Sequence, residues 1–257
     1  MKLNYRKYGS GDPVFVLHGV FGSSDNWQTL GKQFAEKYTV YLIDLRNHGN
    51  SPHSDEMNYK IMAEDLRELM EDEVLRSIHL VGHSMGGKVA MWFATSYPVL
   101  VDHLVVVDIS PRSYPPHHQA VLEGFHSLNL SSLQSRKEAE DLLAKKIPDF
   151  GVRQFILKNL TRNDSGEYLW KINLKAIEAN QKQLGEELAS DKKFQGETLF
   201  IGGSKSDYIQ EVDHNKILYH FPQAKIATVP GAGHWVHAEK PAETARLVTD
   251  FFSVTSE

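Results

Sequence analysis

The chain contains no cysteine. That excludes disulfides, a thiolate nucleophile and any thiolate-ligated metal or cluster, and it fits a reducing compartment. Long apolar runs are missing too: none approaches the roughly eighteen residues that suggest a membrane-spanning helix. The stretch Met1-Lys2-Leu3-Asn4-Tyr5-Arg6-Lys7 lacks the apolar centre of a secretion signal. A cytoplasmic protein with no membrane partner is therefore expected. Charge is not concentrated either. The net −5 is spread along 257 residues, so nucleic acid is not expected as a partner. No H-E-x-x-H occurs among the 13 histidines, and His234-x-x-His237-x-Glu239 matches no metal spacing, so no metal site is expected. No repeat or low-complexity tract appears. The length suits one domain, or a core domain carrying an insertion, that buries its core without staples.

What is present centres on Leu80-Val81-Gly82-His83-Ser84-Met85-Gly86-Gly87. This is a G-x-S-x-G motif between an apolar run, Ile78 to Val81, that reads as a buried strand and a segment, Met85 to Tyr97, that reads as a helix closed by Pro98. A serine at the apex of a sharp strand-to-helix turn points its hydroxyl out of the sheet's end. Glycines two positions away on either side remove the collisions that such a turn creates.

Before and after this turn, strands alternate with helices. Val14 to Leu17 reads as a strand running into the glycine-rich loop His18 to Ser23, followed by a helix through Trp27, Leu30 and Phe34 with Ser24-Asp25-Asn26 as capping residues. Val40 to Ile43 is the next strand, Asp44 to Pro52 a polar loop, and Tyr59 to Met70 a helix. Leu104 to Val107 is a strand that delivers Asp108. The alternation predicts a mostly parallel sheet with helices on both faces. From residue 110 to about 195 the pattern turns helical, with a capping box at Ser135-Arg136-Lys137-Glu138 and a second helix over Val152 to Leu160. Tyr168, Trp170, Ile172 and Leu174 alternate as either a short strand or a strip facing a pocket. We expect residues 110–195 to form a helical cap inserted into a core domain of residues 1–109 and 196–257, with His117 and His118 on its surface. The α/β pattern resumes with Thr198 to Ile201, a helix around Ile209 to Tyr219, the strand Lys225 to Val229 and a helix from Pro241 through Phe252.

A serine hydroxyl is a poor nucleophile near neutral pH and needs a base, with a third group to orient that base. His234, in the loop Pro230-Gly231-Ala232-Gly233-His234-Trp235 after the last strand, is the leading candidate, and His237 is a weaker rival. The acid is Asp108 or Asp207, either of which gives the order Ser, Asp, His. Asp108 ends the strand one βα unit after the serine and is favoured, whereas Asp207 is also suited to capping the helix that follows it. An oxyanion hole needs two N–H donors: Met85, at the start of its helix, and Val20 in the loop after His18-Gly19, with Phe21 as the next choice. His18 and His83 are expected to brace their own turns through hydrogen bonds.

Together, His18-Gly19-Val20-Phe21-Gly22-Ser23, Asp44-x-Arg46-Asn47-His48-Gly49-x-Ser51, Gly82-His83-Ser84-Met85-Gly86-Gly87 and Gly231-Ala232-Gly233-His234-Trp235 resemble the α/β-hydrolase-fold serine esterases. The Arg-Asn-His-Gly variant is similar to the branch of small bacterial esterases and acyl thioesterases related to the mitochondrial abhydrolase-domain type. The resemblance implies an α/β-hydrolase fold and cofactor-free hydrolysis of short- to medium-chain acyl esters, or acyl-CoA thioesters, through an acyl-enzyme on Ser84. It also implies that the acid comes from the position of Asp108 and that Ser206 assists near His234. Phe21, Trp27, Met85 and Trp170 are candidates for the acyl-pocket wall. A C–C bond hydrolase or lyase on the same scaffold and a non-catalytic ligand-binding receptor are the alternatives. The sequence leaves monomer and homodimer both open.

Overall fold

The computed structural model describes residues 1–116 and 118–253, so His117 lies outside the described residues. The first half runs β1 (Tyr5–Tyr8), β2 (Pro13–Leu17), α1 (Gln28–Phe34), β3 (Thr39–Ile43), α2 (Tyr59–Asp72), β4 (Ile78–His83), α3 (Met85–Ser96) and β5 (Val101–Val107). An insertion follows, with α4 (Gln119–His126), α5 (Arg136–Ala144), α6 (Phe150–Leu157), β6 (Leu160–Arg162), β7 (Tyr168–Trp170), α7 (Leu174–Ala179) and α8 (Gln181–Leu184). The chain then returns through β8 (Glu197–Gly203), α9 (His214–His220), β9 (Ala224–Val229), α10 (Val236–Glu239) and α11 (Pro241–Phe252).

Seven strands form one sheet in the order β1-β3-β2-β4-β5-β8-β9, parallel except for β1, which pairs antiparallel with β3. The expected mostly parallel sheet is therefore observed. After β2 the chain turns to β3 on one side and then crosses back to place β4 on the other. The loops leaving β2 and β4 part at this switch, which opens a crevice at the strands' carboxyl ends. Apolar side chains pack on both faces: α1, the turn before it and α11 cover one, through Phe34, Trp27 and Phe252, while α2 and α3 cover the other, through Met62, Leu66 and Phe93.

Sequence patterning misses β1, because Tyr5-Arg6-Lys7-Tyr8 is a half-exposed edge strand with no buried face to impose alternation. The helix expected from Ser24 begins as a 3₁₀ turn over Ser24–Trp27, with Asn26 Oδ1 accepting the Ser23 N–H at 2.7 Å. The helix expected from Ile209 starts only at His214, because Asp213 turns back to accept the Gln210 N–H at 2.9 Å. In the insertion, Ser135 accepts the Glu138 N–H as expected, but Glu138 returns to the N–H of Gln134, one residue earlier than a capping box requires. The helix expected to reach Leu160 stops at Leu157, and Leu160 instead pairs with Trp170. Tyr168 and Trp170 thus lie in a strand, the first of the two readings.

Between β5 and β8 the described residues of the insertion share the apolar core of the sheet's helices. Its Phe125, Leu143, Ile156 and Ile172 belong to the same cluster as Leu66 and Phe93 of the sheet's helices. Buried Lys88 of α3 donates to the carbonyls of Pro111 and Glu186, tying both crossings of the insertion to the helix that Ser84 begins. Among the described residues no helix is long and apolar enough to cross a membrane.

Candidate active site

Ser84 connects β4 to α3 with φ 54 and ψ −119, a backbone conformation that non-glycine residues rarely hold. Such strain costs of order 1–3 kcal/mol and persists only where neighbours over-determine it. Here the Ser84 N–H donates to the Val107 carbonyl at 3.0 Å, and the Ser84 carbonyl accepts the Lys88 N–H at 3.0 Å. A Cβ on Gly82 would lie 2.3 Å from the Gly86 carbonyl, and one on Gly86 would lie 2.6 Å from the His18 carbonyl. Both glycines are therefore required by close backbone approach.

β9 lies three strands from β4, about 14 Å at ~4.8 Å per strand. The five residues from Pro230 to His234 reach about 16 Å when extended, enough to bring an imidazole back over the sheet's edge. His234 arrives there. The Ser84 hydroxyl is 3.1 Å from His234 Nε2, and His234 Nδ1 is 2.8 Å from Asp108 Oδ2. An ionised carboxylate only accepts, so Nδ1 carries the proton and Nε2 is free to accept from the hydroxyl. Asp108 is fully buried, with φ 52, and its carboxylate also accepts the Gly203 N–H at 2.9 Å and the Ser206 hydroxyl. Ser206 thus meets the same oxygen that faces His234. Tyr208 stacks on the His234 ring at 3.9 Å, and His83 Nε2 donates to the His234 carbonyl at 2.9 Å.

Asp207 is exposed, and its Oδ1 accepts from Gln210 Nε2 at 3.2 Å. It neither meets His234 nor caps α9, so among the described residues only Asp108 of the two candidate acids joins the imidazole. His237 stacks on Trp27 at 4.3 Å, and burial pushes its pKa down to about 3. It makes no hydrogen bond to Ser84 among the described residues. His83 and His18 were expected to brace their own turns. His83 instead reaches the His234 loop, and His18 Nε2 accepts the Leu45 N–H at 3.0 Å while Nδ1 donates to the adjacent Gly19 carbonyl.

The loop after β2 closes as a four-residue turn, with the Gly22 N–H on the Gly19 carbonyl at 3.0 Å and Phe21 at φ 60. The Phe21 N–H donates to His48 Nε2 at 3.1 Å, so its donor is already engaged and Phe21 does not fit as an oxyanion donor. The N–H groups of Val20 and Met85 find no acceptor among the described residues. Val20, Ser84 and Met85 share the lining of a small cavity of about 40 Å³.

A larger cavity of about 240 Å³ opens beside Ser84 and His234. Val20 and Phe21 of the core and Val121 and Phe155 of the insertion form apolar walls, with Tyr208 and Trp235 beside the imidazole. Of the expected wall residues, Phe21 lines this cavity and Met85 the smaller one. Trp27 does not: it lies in the opposite core layer against His237, and Trp170 packs edge-on against Phe125 at 4.9 Å. Tyr208 and Phe155 were missed because one lies in an irregular loop and the other on a helix whose pattern shows only an apolar face.

Among the described residues four buried histidines surround this site, and burial holds all of them neutral: His18 and His83 below the usual range, His48 and His237 at about 3. An unfolded histidine titrates near ~6.5, so below that pH the unfolded chain binds more protons than the folded one. Their stabilising contribution is complete above pH ~6.5 and is lost as pH falls toward the folded values. His48 and His237 alone should each lose about 2 kcal/mol by pH ~5. The thermal midpoint should fall steeply from pH 7 to 5, and His237→Phe should flatten that fall; a level midpoint in the parent protein would contradict the assignment.

Residues 12–241 match the family model described as alpha/beta hydrolase fold, and the chain belongs to that family. It is 40% identical over 253 residues to the sn-1-specific diacylglycerol lipase ABHD11 of Danio rerio, covering 95% of this chain and 80% of that protein. It is 32% identical to esterase YbfF of Escherichia coli K12 over 98% of this chain and all of that one. A solved structure called marine microorganism esterase superposes with a TM-score of 0.95 at 41% identity, covering 98% of this chain and 99% of its own. Within the α/β-hydrolase fold family this chain is an ester hydrolase.

Proposed function

We propose that Ser84 is the nucleophile, His234 the general base, Asp108 the orienting acid, and the N–H groups of Val20 and Met85 the oxyanion donors. The observation that carries this reading is the unbroken relay from the Ser84 hydroxyl through His234 to a buried carboxylate. Ser84 Oγ bonds to the acyl carbon as its proton passes to His234 Nε2, and the carbonyl electrons move to the oxygen held by the two N–H groups. The imidazolium then protonates the departing alcohol or thiol. Water, deprotonated by the same imidazole, attacks the acyl-enzyme, and the proton returns to Ser84 as the carboxylic acid leaves. Ser206 serves this step by holding the Asp108 carboxylate.

Residues 110–195 act in this proposal as a cap over the acyl site. The substrates are short- to medium-chain acyl esters, with acyl-CoA thioesters as a second class. An apolar cavity of about 240 Å³ supports a modest acyl group, although the zebrafish relative is named for diacylglycerol. A cytoplasmic location belongs to the same proposal, supported by the cysteine-free sequence and by the lack of long apolar runs.

The test is a panel of p-nitrophenyl esters and CoA thioesters from butyryl through octanoyl to palmitoyl. Turnover should be highest at the short end and fall toward palmitoyl in both series. A preference for palmitoyl would overturn the acyl-length assignment.

A further inference from the structure

The insertion reaches the oxyanion loop through one buried side chain. Asn159, in the turn between α6 and β6, is 3% exposed, and its Nδ2 donates to the Phe21 carbonyl at 2.8 Å. Phe21 is the third residue of the turn closed by Gly19 and Gly22, a place whose left-handed backbone usually calls for glycine or asparagine. A bulky side chain stays there only if its peptide groups are held. Both are held. His48 takes the N–H, with its own Nδ1 donating to the Arg46 carbonyl at 2.9 Å, and Asn159 takes the carbonyl.

Asn159 is itself fixed by its backbone, which accepts the Lys171 N–H at 2.8 Å and donates to the Ile156 carbonyl at 3.0 Å. Two residues past Lys171, the Asn173 N–H donates to the Asn47 carbonyl at 2.9 Å, immediately before His48 in the chain. One short stretch of the insertion therefore grips both loops that set the conformation of Phe21. Without those grips, Phe21 would relax to negative φ and the turn would rebuild around it, shifting the neighbouring Gly19–Val20 peptide that carries the Val20 N–H away from Ser84.

We infer that Asn159 is a positioning residue: by holding the Phe21 carbonyl it keeps the oxyanion turn in its active form, so the hole is complete only while the insertion is seated. This rests on the roles given to Ser84 and Val20 above. The ground-state ester makes little use of the hole, whereas the transition state depends on it, so the effect falls on kcat rather than KM.

The experiment measures kcat and KM for the full chain and its Asn159→Ala and Asn159→Asp variants on p-nitrophenyl butyrate from pH 8 to 5. Deleting an oxyanion donor outright costs about a hundred- to a thousandfold, so displacing one should lower kcat of Asn159→Ala about ten- to a hundredfold with KM within about twofold. Asn159→Asp should fall at least as far at pH 8, where a carboxylate faces the Phe21 carbonyl. Burial raises a carboxyl's pKa above its usual ~3.9, so as pH falls the protonated acid regains a donor. The ratio of Asn159→Asp to the parent protein should therefore rise toward pH 5, which loosened packing alone would not produce. Should Asn159→Ala fail to fold, that ratio decides the matter. An active parent with a flat ratio, or with losses only in KM, overturns this inference alone; a parent inactive on every ester overturns the esterase reading as well.

Discussion

Asp108→Asn should lower kcat about ten-thousandfold on a chromogenic ester, the size of effect seen when the acid of a Ser-His-Asp relay becomes an amide. The reason lies in the hydrogen bonds around one carboxylate. Asp108 Oδ2 now accepts from His234 Nδ1, which leaves Nε2 bare for the Ser84 proton. An amide at this position can turn its NH2 toward Nδ1, which moves the ring proton to Nε2 and removes the base. The fold should survive, because asparagine tolerates the left-handed backbone that Asp108 adopts at φ 52. Asp207→Asn should leave kcat within about twofold, since among the described residues that exposed carboxylate bonds only to Gln210. Equal losses in the two variants, or a larger one for Asp207→Asn, would contradict the placement of the acid.

Ser84→Ala should remove about a millionfold of kcat, leaving only what binding and the oxyanion donors provide. Alanine keeps the Cβ that the tight turn already accommodates. The thermal midpoint should therefore stay close to that of the parent, separating lost chemistry from lost structure. Turnover above about a hundredth of the parent's would contradict a serine nucleophile.

The parts of this account that were legible in the sequence are those written as local patterns. Five of the seven strands of the main sheet are legible as short apolar runs, because strands covered on both faces have no polar side to show, and β9 at the far edge is legible as the mixed run Lys225 to Val229. The G-x-S-x-G turn could be read because Gly82 and Gly86 answer steric demands of their own neighbourhood. Asp108 could be ranked above Asp207 but not separated from it, since the choice depends on which loop lies beside His234 once the sheet has formed. Phe21 was an acceptable donor until His48, 27 positions away, was found on its N–H. Asn159 carried no signal at all. An asparagine between a helix and a strand reads as a turn residue, and only the fold brings it to the carbonyl of Phe21, 138 positions earlier.

The central claim is that Ser84 is made nucleophilic by His234. It is tested most directly by incubating the parent protein and its Ser84→Ala and His234→Ala variants with a fluorophosphonate ester and locating the adduct by peptide mass spectrometry. The account predicts one adduct per chain, on the peptide that carries Ser84, formed rapidly in the parent, very slowly in His234→Ala and not at all in Ser84→Ala. An adduct on another residue, or labelling of the parent no faster than of His234→Ala, would contradict it.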